Sequence, residues 1–426
     1  MRKRIFTALT SCCLLSSSQV YLASQNILAK YDLPPDASGS QYLNLLESNL
    51  SLLTNTDPDL QPILDIGKRN WDWLNHMNTF RSTDDQLEFS SPSKSRSFPI
   101  TSSRNLSKDF VLSEYNKLFT VIPKEMLDIL LKKQDLTNDL PSSLSKDDYL
   151  KYGLIVDYAY QNAARWNLLF PYKDELKAVR FKDIRGYYHL EHLIDRTEKL
   201  ENFNNLIPEE QKKIGVWLEN QCLNTEHDES NCHQYFTDSL VSNNGDATVF
   251  YQKYFNNSQK IYQNFFQIPT QAVRNDILWT DGPNQTSFAI IPFQDLEDVG
   301  IKIFLHNIEK EWRWGSWQLL LQYTNGDNIP NITFESGVTP HVNDLGGNNI
   351  VMDSNQPLTE WDAQWTIRHE FGHVLGFPDC YIEFYDENNN AFVSYQIDVN
   401  NLMCSRRGKL QETHYSEMTR NYFTKL

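Results

Sequence analysis

From Phe110 to about Gln267, apolar and aromatic residues recur mostly three and four positions apart, the period of helices that bury one face. Asp147–Asn167 shows it best, with Tyr149, Tyr152, Ile155, Val156, Tyr160, Ala163 and Trp166 near that spacing. Pro171–Lys199, Pro208–Gln221 and Asp246–Gln267 carry similar stripes, and Ser40–Thr54 and Leu60–Phe80 extend the helical reading towards the N-terminus. Aromatic stripes of this kind read first as packing seams. Arg81–Lys108 breaks the pattern: it is dense in Ser, holds two Pro and has little apolar periodicity, so it reads as a linker.

After Val273 the period changes. Ser287–Phe293, Trp317–Tyr323, Pro330–Phe334 and Asn349–Met352 are short apolar runs suited to strands. Between the first two, Gln294–Trp314 places Val299, Ile303, Phe304, Ile308 and Trp312 on one side of a helix. A further helix is expected to begin near Leu358, with Thr359 and Asp362 as a capping box in which Asp replaces the usual Glu or Gln. The succession predicts an α+β domain over residues 273–426 behind a mainly helical region. That region divides into a targeting segment (1–24), a helical segment with the Ser-rich linker (25–108) and a helical domain (109–272).

Charge and cysteine usage refine this picture. A net charge of −16 argues against a nucleic-acid partner, which would need a basic face. Arg2-Lys3-Arg4, the apolar Ile5–Leu15 and the small residues Ser16–Ser18 and Leu22-Ala23-Ser24 have the order of an export signal. A secreted or periplasmic location is therefore expected. A lipid anchor at Cys12 is the weaker alternative, because the apolar run before it is short. No stretch reaches the roughly 18 apolar residues of a membrane-spanning helix. Beyond the signal stand Cys222, Cys232, Cys380 and Cys404, an even number that favours disulfides in an exported chain. Position suggests Cys222–Cys232 and Cys380–Cys404.

The chemistry concentrates in His369-Glu370-Phe371-Gly372-His373-Val374-Leu375-Gly376-Phe377-Pro378-Asp379. Residues four apart stack on one helix face, so His369 and His373 can offer both imidazoles to one metal ion. Glu370 lies on the flank of that face, placed to take a proton from water rather than to ligate. Gly376 can adopt the left-handed conformation that ends a helix, and Pro378 stiffens the returning chain that delivers Asp379 as third ligand. Three protein ligands and one open position is the pattern of catalytic zinc, whereas structural zinc is usually closed by four. His189 and His192 lack a third ligand at a recognisable spacing and read as packing or surface residues. Tyr385-Asp386-Glu387-Asn388-Asn389-Asn390 gathers hard oxygen atoms and is either a weak Ca2+ candidate or a solvated turn.

The motif resembles that of the zincin metallopeptidases, and its extension by Gly and a third ligand resembles the metzincin branch. Asn401-Leu402-Met403-Cys404 is similar to the Met-containing turn beneath the metal in that branch. The Asp third ligand, Phe377-Pro378-Asp379 and Leu402-Met403 are most similar to the snapalysin family. The close likeness covers His369–Ser405 and the wider one residues 273–426. It implies a twisted sheet behind the active-site helix, one Zn2+ held by His369, His373 and Asp379, Glu370 as catalytic base, and a polypeptide substrate. A secreted zinc metalloendopeptidase is the expected activity. Ser405 stands where some metzincins carry a Tyr, so tyrosine assistance would come from Tyr381, Tyr395 or Tyr415. Three alternatives stay open: Glu412 as third ligand, a catalytically altered zincin acting as a binding or effector protein, and hydrolysis of a non-protein amide. The sequence also leaves open whether residues 25–270 are a removable prosegment or a permanent domain.

Overall fold

A computed structural model describes residues 57–89, 97–282, 285–335, 338–354 and 356–423. The expected export signal, Cys12 and the Ser40–Thr54 helix lie outside them.

Helix α1 (Gln61–Asn78) buries Ile63, Ile66, Trp73, Leu74 and Met77. It crosses the long α4 (Lys146–Leu169) so closely at Gly67 that a Cβ there would lie 2.3 Å from the Tyr160 side chain. Between them run α2 (Lys108–Val121) and α3 (Lys124–Leu130). Ser107 caps α2 by accepting from Phe110 N, and Ser145 caps α4 by accepting from Asp148 N. Pro171–Lys199 is not one helix. It is broken into α5 (Lys173–Val179), α6 (Arg185–Glu191) and α7 (Arg196–Glu201). One break falls at Asp183, whose buried carboxylate accepts from Tyr395 Oη at 2.7 Å, and another at Asp195, which takes a left-handed φ of 56°. Next come α8 (Pro208–Glu226), α9 (Glu229–Ser242) and α10 (Thr248–Asn264), which share a small core of their own around Leu218, Phe236, Phe250 and the bonded Cys222–Cys232 pair.

The remainder is α+β, and its strands form three small sheets among the described residues rather than the one twisted sheet expected. In the first, β2 (Leu278–Asp281), β3 (Ser287–Gln294), β4 (Arg313–Trp314) and β5 (Trp317–Thr324) lie in the order β2-β3-β5-β4. Strands β3 and β5 are parallel, with Ser287 opposite Trp317, and the crossover between them is α11 (Val299–Glu311). In the second, β6 (Asn331–Glu335), β7 (His341–Val342) and β8 (Asn349–Asp353) follow the order β6-β8-β7. Helix α12 (Trp361–Val374) carries the motif. The third sheet is the hairpin β9 (Tyr381–Asp386) and β10 (Ala391–Gln396), and α13 (Glu412–Tyr422) ends the described chain.

The third sheet corrects the linker reading. Its third strand, β1 (Arg104–Ser107), pairs antiparallel with β10, Arg104 opposite Ser394. Leu87, Phe89, Ile100 and Leu106 are all buried, so four apolar anchors among the serines fasten this segment to the body. One hydrophobic core consequently runs from Leu60 to Tyr422, and the expected boundaries at 108/109 and 272/273 fall inside it. The expected capping box is also absent: the N-cap of α12 is Glu360, which makes no side-chain cap because its carboxylate accepts instead from Phe89 N at 3.2 Å.

Candidate metal centre

Helix α12 stops where the sequence indicates. Gly376 has φ +91°, Phe377 N donates to Gly372 O at 2.9 Å and Gly376 N to His373 O at 2.9 Å, the paired bonds of a left-handed C-cap. Two remote groups complete the end: Gly346 N donates to His373 O, and Tyr422 Oη to Leu375 O. A Cβ at Gly376 would lie 2.7 Å from the Ala272 carbonyl, so the position requires glycine for space as well as for φ.

His369, His373 and Asp379 meet beneath this end, with one ligand atom from each inside a 4.8 Å span. All three are buried, Asp379 fully. His369 Nδ1 faces Leu402 O at 2.8 Å and His373 Nδ1 faces Phe377 O at 2.8 Å. A carbonyl only accepts, so each Nδ1 carries a proton, and in the neutral ring the Nε2 keeps its lone pair. Those two Nε2 atoms lie 3.0 and 3.3 Å from Asp379 Oδ1. While both rings are neutral no proton stands between them and Asp379, and neither carboxylate oxygen has another partner. Leaving a buried carboxylate unsatisfied is costly, and three lone pairs converging on one point fit a cation. In the absence of a cation a proton is the competitor. Burial opposes a charged His373, but Asp379 overrides it and lifts its pKa to about 9. Burial likewise opposes the Asp379 anion, and the two imidazoles reverse that to hold it well below the usual carboxylate range.

The support beneath the ligands comes from the Leu402-Met403 turn. Met403 N donates to Asn401 Oδ1 at 2.8 Å, and Cys380 N to Met403 O at 3.0 Å. Cys380 and Cys404 are disulfide-bonded, as position suggested. Met403 lies directly under α12: a Cβ on Gly372 would sit 2.2 Å from its Sδ. Glycine at 372 is therefore what lets the turn approach the helix between the two His.

Glu370 is buried and lines a cleft of about 480 Å³ together with His369 and His373. One side of this cleft is α12. The other is built by α1 and α4, where Trp71, Tyr158, Asn162 and Arg165 face it. Arg165 Nε donates to Glu383 Oε2 at 3.0 Å, joining α4 to β9. No motif marks these wall residues, and the sequence reading passed over them as packing. It also passed over the Leu402 and Phe377 carbonyls, which carry no side-chain signal at all.

Other expectations resolve individually. Glu412 is exposed at the start of α13 and does not join the metal group. Of the three tyrosines, Tyr395 is fully buried with its hydroxyl committed to Asp183 and Ile184 N, and Tyr415 packs on Trp317. Tyr381 is half-buried and lines the cleft. His189 is half-buried and stacks on Trp217, and His192 is an exposed residue stacked on Tyr188. In the 385–390 turn, Asp386 accepts from Asn388 N, Asn389 N and Asn389 Nδ2, while Glu387 pairs with Lys177, so these oxygens already serve the hairpin. Comparison with known family models, curated proteins and solved structures finds no match to the chain.

Proposed function

We propose that this chain is an exported zinc-dependent endopeptidase of the metzincin type. The observation that carries the reading is the fully buried Asp379 carboxylate, without a hydrogen-bond partner, facing two imidazoles whose Nδ1 protons are committed elsewhere. Zinc held by His369, His373 and Asp379 would supply Lewis acidity towards a scissile carbonyl and a nearby water. Glu370, adjacent in the cleft and outside the ligand set, accepts the proton of the attacking water and returns it to the leaving amine. The Leu402 and Phe377 carbonyls hold the Nδ1 protons and so aim both Nε2 atoms towards the position shared with Asp379. The cleft walls align an extended peptide across Glu370 and limit competing water. Export is supported by the two disulfides, which persist in oxidising compartments. Among the described residues, no helix is long and apolar enough to cross a membrane.

The test is hydrolysis of denatured casein by the purified, zinc-loaded protein, by a chelated sample and by Glu370→Gln. The amide keeps the shape of Glu370 and leaves all three ligands in place but cannot act as a base. Zinc content is expected to be unchanged and hydrolysis nearly abolished. Activity of Glu370→Gln within tenfold of wild type would remove Glu370 from its role, and a wild-type protein inert on casein would favour a non-peptide substrate or a binding protein.

A further inference from the structure

Asn162 lies on α4, on the wall of the cleft opposite the metal helix, and is 2% exposed. Its Oδ1 accepts a hydrogen bond from Arg104 Nη2 at 2.5 Å. A guanidinium has donors only, so this contact fixes which way the amide points: oxygen towards Arg104, nitrogen away from it. Asn162 Nδ2 then has no acceptor, although it is shut off from solvent. A buried donor left without a partner costs about 1–3 kcal/mol, so in a site-lining residue it calls for a ligand explanation.

We propose that Asn162 is a substrate-positioning residue whose Nδ2 donates to a main-chain carbonyl oxygen of the bound polypeptide. The inference rests on the peptidase reading and extends it to the second wall of the cleft. An extended peptide exposes one carbonyl per residue whatever its side chains, which suits a donor held in fixed orientation on a rigid helix. Arg104, which lines the same cleft, orients the amide through its bond to Oδ1. It comes from β1, which is paired to β10, and Arg165, one turn further along α4, is bonded to Glu383 of β9. The wall is thus tied to the sheet beside Asp379. The helical region acts as a permanent half of the substrate site, not a segment to be removed.

Asn162→Asp tests this. The carboxylate still accepts from Arg104, now as an ion pair, so the fold is expected to be at least as stable as the parent. It replaces the orphan donor by an anion that repels a carbonyl. Binding of a fluorescent casein-derived peptide is measured in the zinc-loaded Glu370→Gln background, where no turnover occurs. KM and kcat are measured in the otherwise wild-type chain. The expected result is binding weakened at least tenfold and a matching rise in KM, with kcat within threefold and the thermal midpoint unchanged or raised. Asn162→Leu, which removes the donor without adding charge, should weaken binding in the same direction. Peptide affinity within twofold of the parent in both variants overturns the proposal, as does a Glu370→Gln parent that binds no peptide. If that parent binds peptide and Asn162→Asp weakens it while the wild-type chain hydrolyses none, the peptidase reading fails and the Asn162 assignment stands.

Discussion

Gly372→Ala adds one methyl group at the point where α12 meets the Leu402-Met403 turn. That Cβ would lie 2.2 Å from Met403 Sδ, 2.8 Å from Met403 Cε and 3.1 Å from Trp312 Cζ2. Ordinary contact begins at 3.4 Å, so the Met403 sulfur must retreat by about 1.2 Å, the difference 3.4 − 2.2. It has little room to do so. Met403 is 2% exposed, its backbone is held by Asn401 Oδ1 and Cys380 N, and the next residue is bonded to Cys380. Alanine is favoured over glycine in a helix by about 1 kcal/mol, while overpacking a core costs about 1–3 kcal/mol. An approach of 2.2 Å puts the cost near the top of that range, about 2–3 kcal/mol, so the expected net loss is about 1–2 kcal/mol. The site should register the same strain, because displacing the turn moves the Leu402 carbonyl that aims His369. Loss of such an orienting partner weakens metal affinity by about tenfold or more. Urea unfolding and a zinc competition titration read the two effects. Met403→Ala should relieve the clash, so the double variant is expected to be about 1–2 kcal/mol more stable than the sum of the single changes. A Gly372→Ala protein as stable as its parent, with zinc affinity within twofold, would refute the packing argument.

Two further outcomes follow from the site and its surroundings. Asp379→Ala should lower zinc occupancy at limiting metal while Glu412→Ala does not, since only Asp379 joins the two imidazoles; metal analysis after dialysis gives the answer, and the opposite result would move the third ligand to Glu412. His414 is buried against Trp312 and Phe377, and burial holds its pKa down at about 4 against an ordinary 6.5, despite the nearby Asp398 carboxylate. The unfolded chain therefore binds the extra proton first, and this contribution to stability is full above pH 6.5 and lost as pH falls towards 4. The loss is about 2 kcal/mol between pH 7 and pH 5, and His414→Gln should remove that part of the acid dependence in denaturant titrations at the two pH values.

The meeting of His369, His373 and Asp379 was legible because its logic is local: a four-residue helical repeat, a left-handed glycine and a stiff return lie within eleven consecutive residues. The strands and crossover helix after Val273 were legible for the same reason, since each carries its own period. What the sequence hid depends on partners far away along the chain. Strand β1 is defined by β10, and Phe98 N meets the Gln396 side chain across 298 positions. The break in Pro171–Lys199 comes from Asp183 finding Tyr395, 212 positions on. Glu360 leaves the cap of α12 because Phe89 N, 271 positions earlier, claims its carboxylate. In each case local propensity gave a reasonable default, and tertiary pairing displaced it. The Ser-rich composition of residues 81–108 hid four apolar anchors, and with them the fact that the helical region and the α+β part share a core.

That shared core bears on why a fully buried carboxylate can stand beside two imidazoles at all. Each of the three side chains is held by a different element. His373 is held by its own C-cap through Phe377 O, His369 by the Met403 turn through Leu402 O, and Asp379 by the chain that enters β9 through the Cys380–Cys404 bond. The last closure spans 24 residues, for which chain-entropy reasoning gives about 3 kcal/mol. Each of the three is held by bonds within the chain. The fold therefore carries the cost of bringing the donors together, and a cation that binds only the folded chain returns that cost as stability. A scaffold of this kind keeps the donor positions within the narrow tolerance that metal chemistry needs, which is what separates three convergent lone pairs from an accidental cluster of polar side chains.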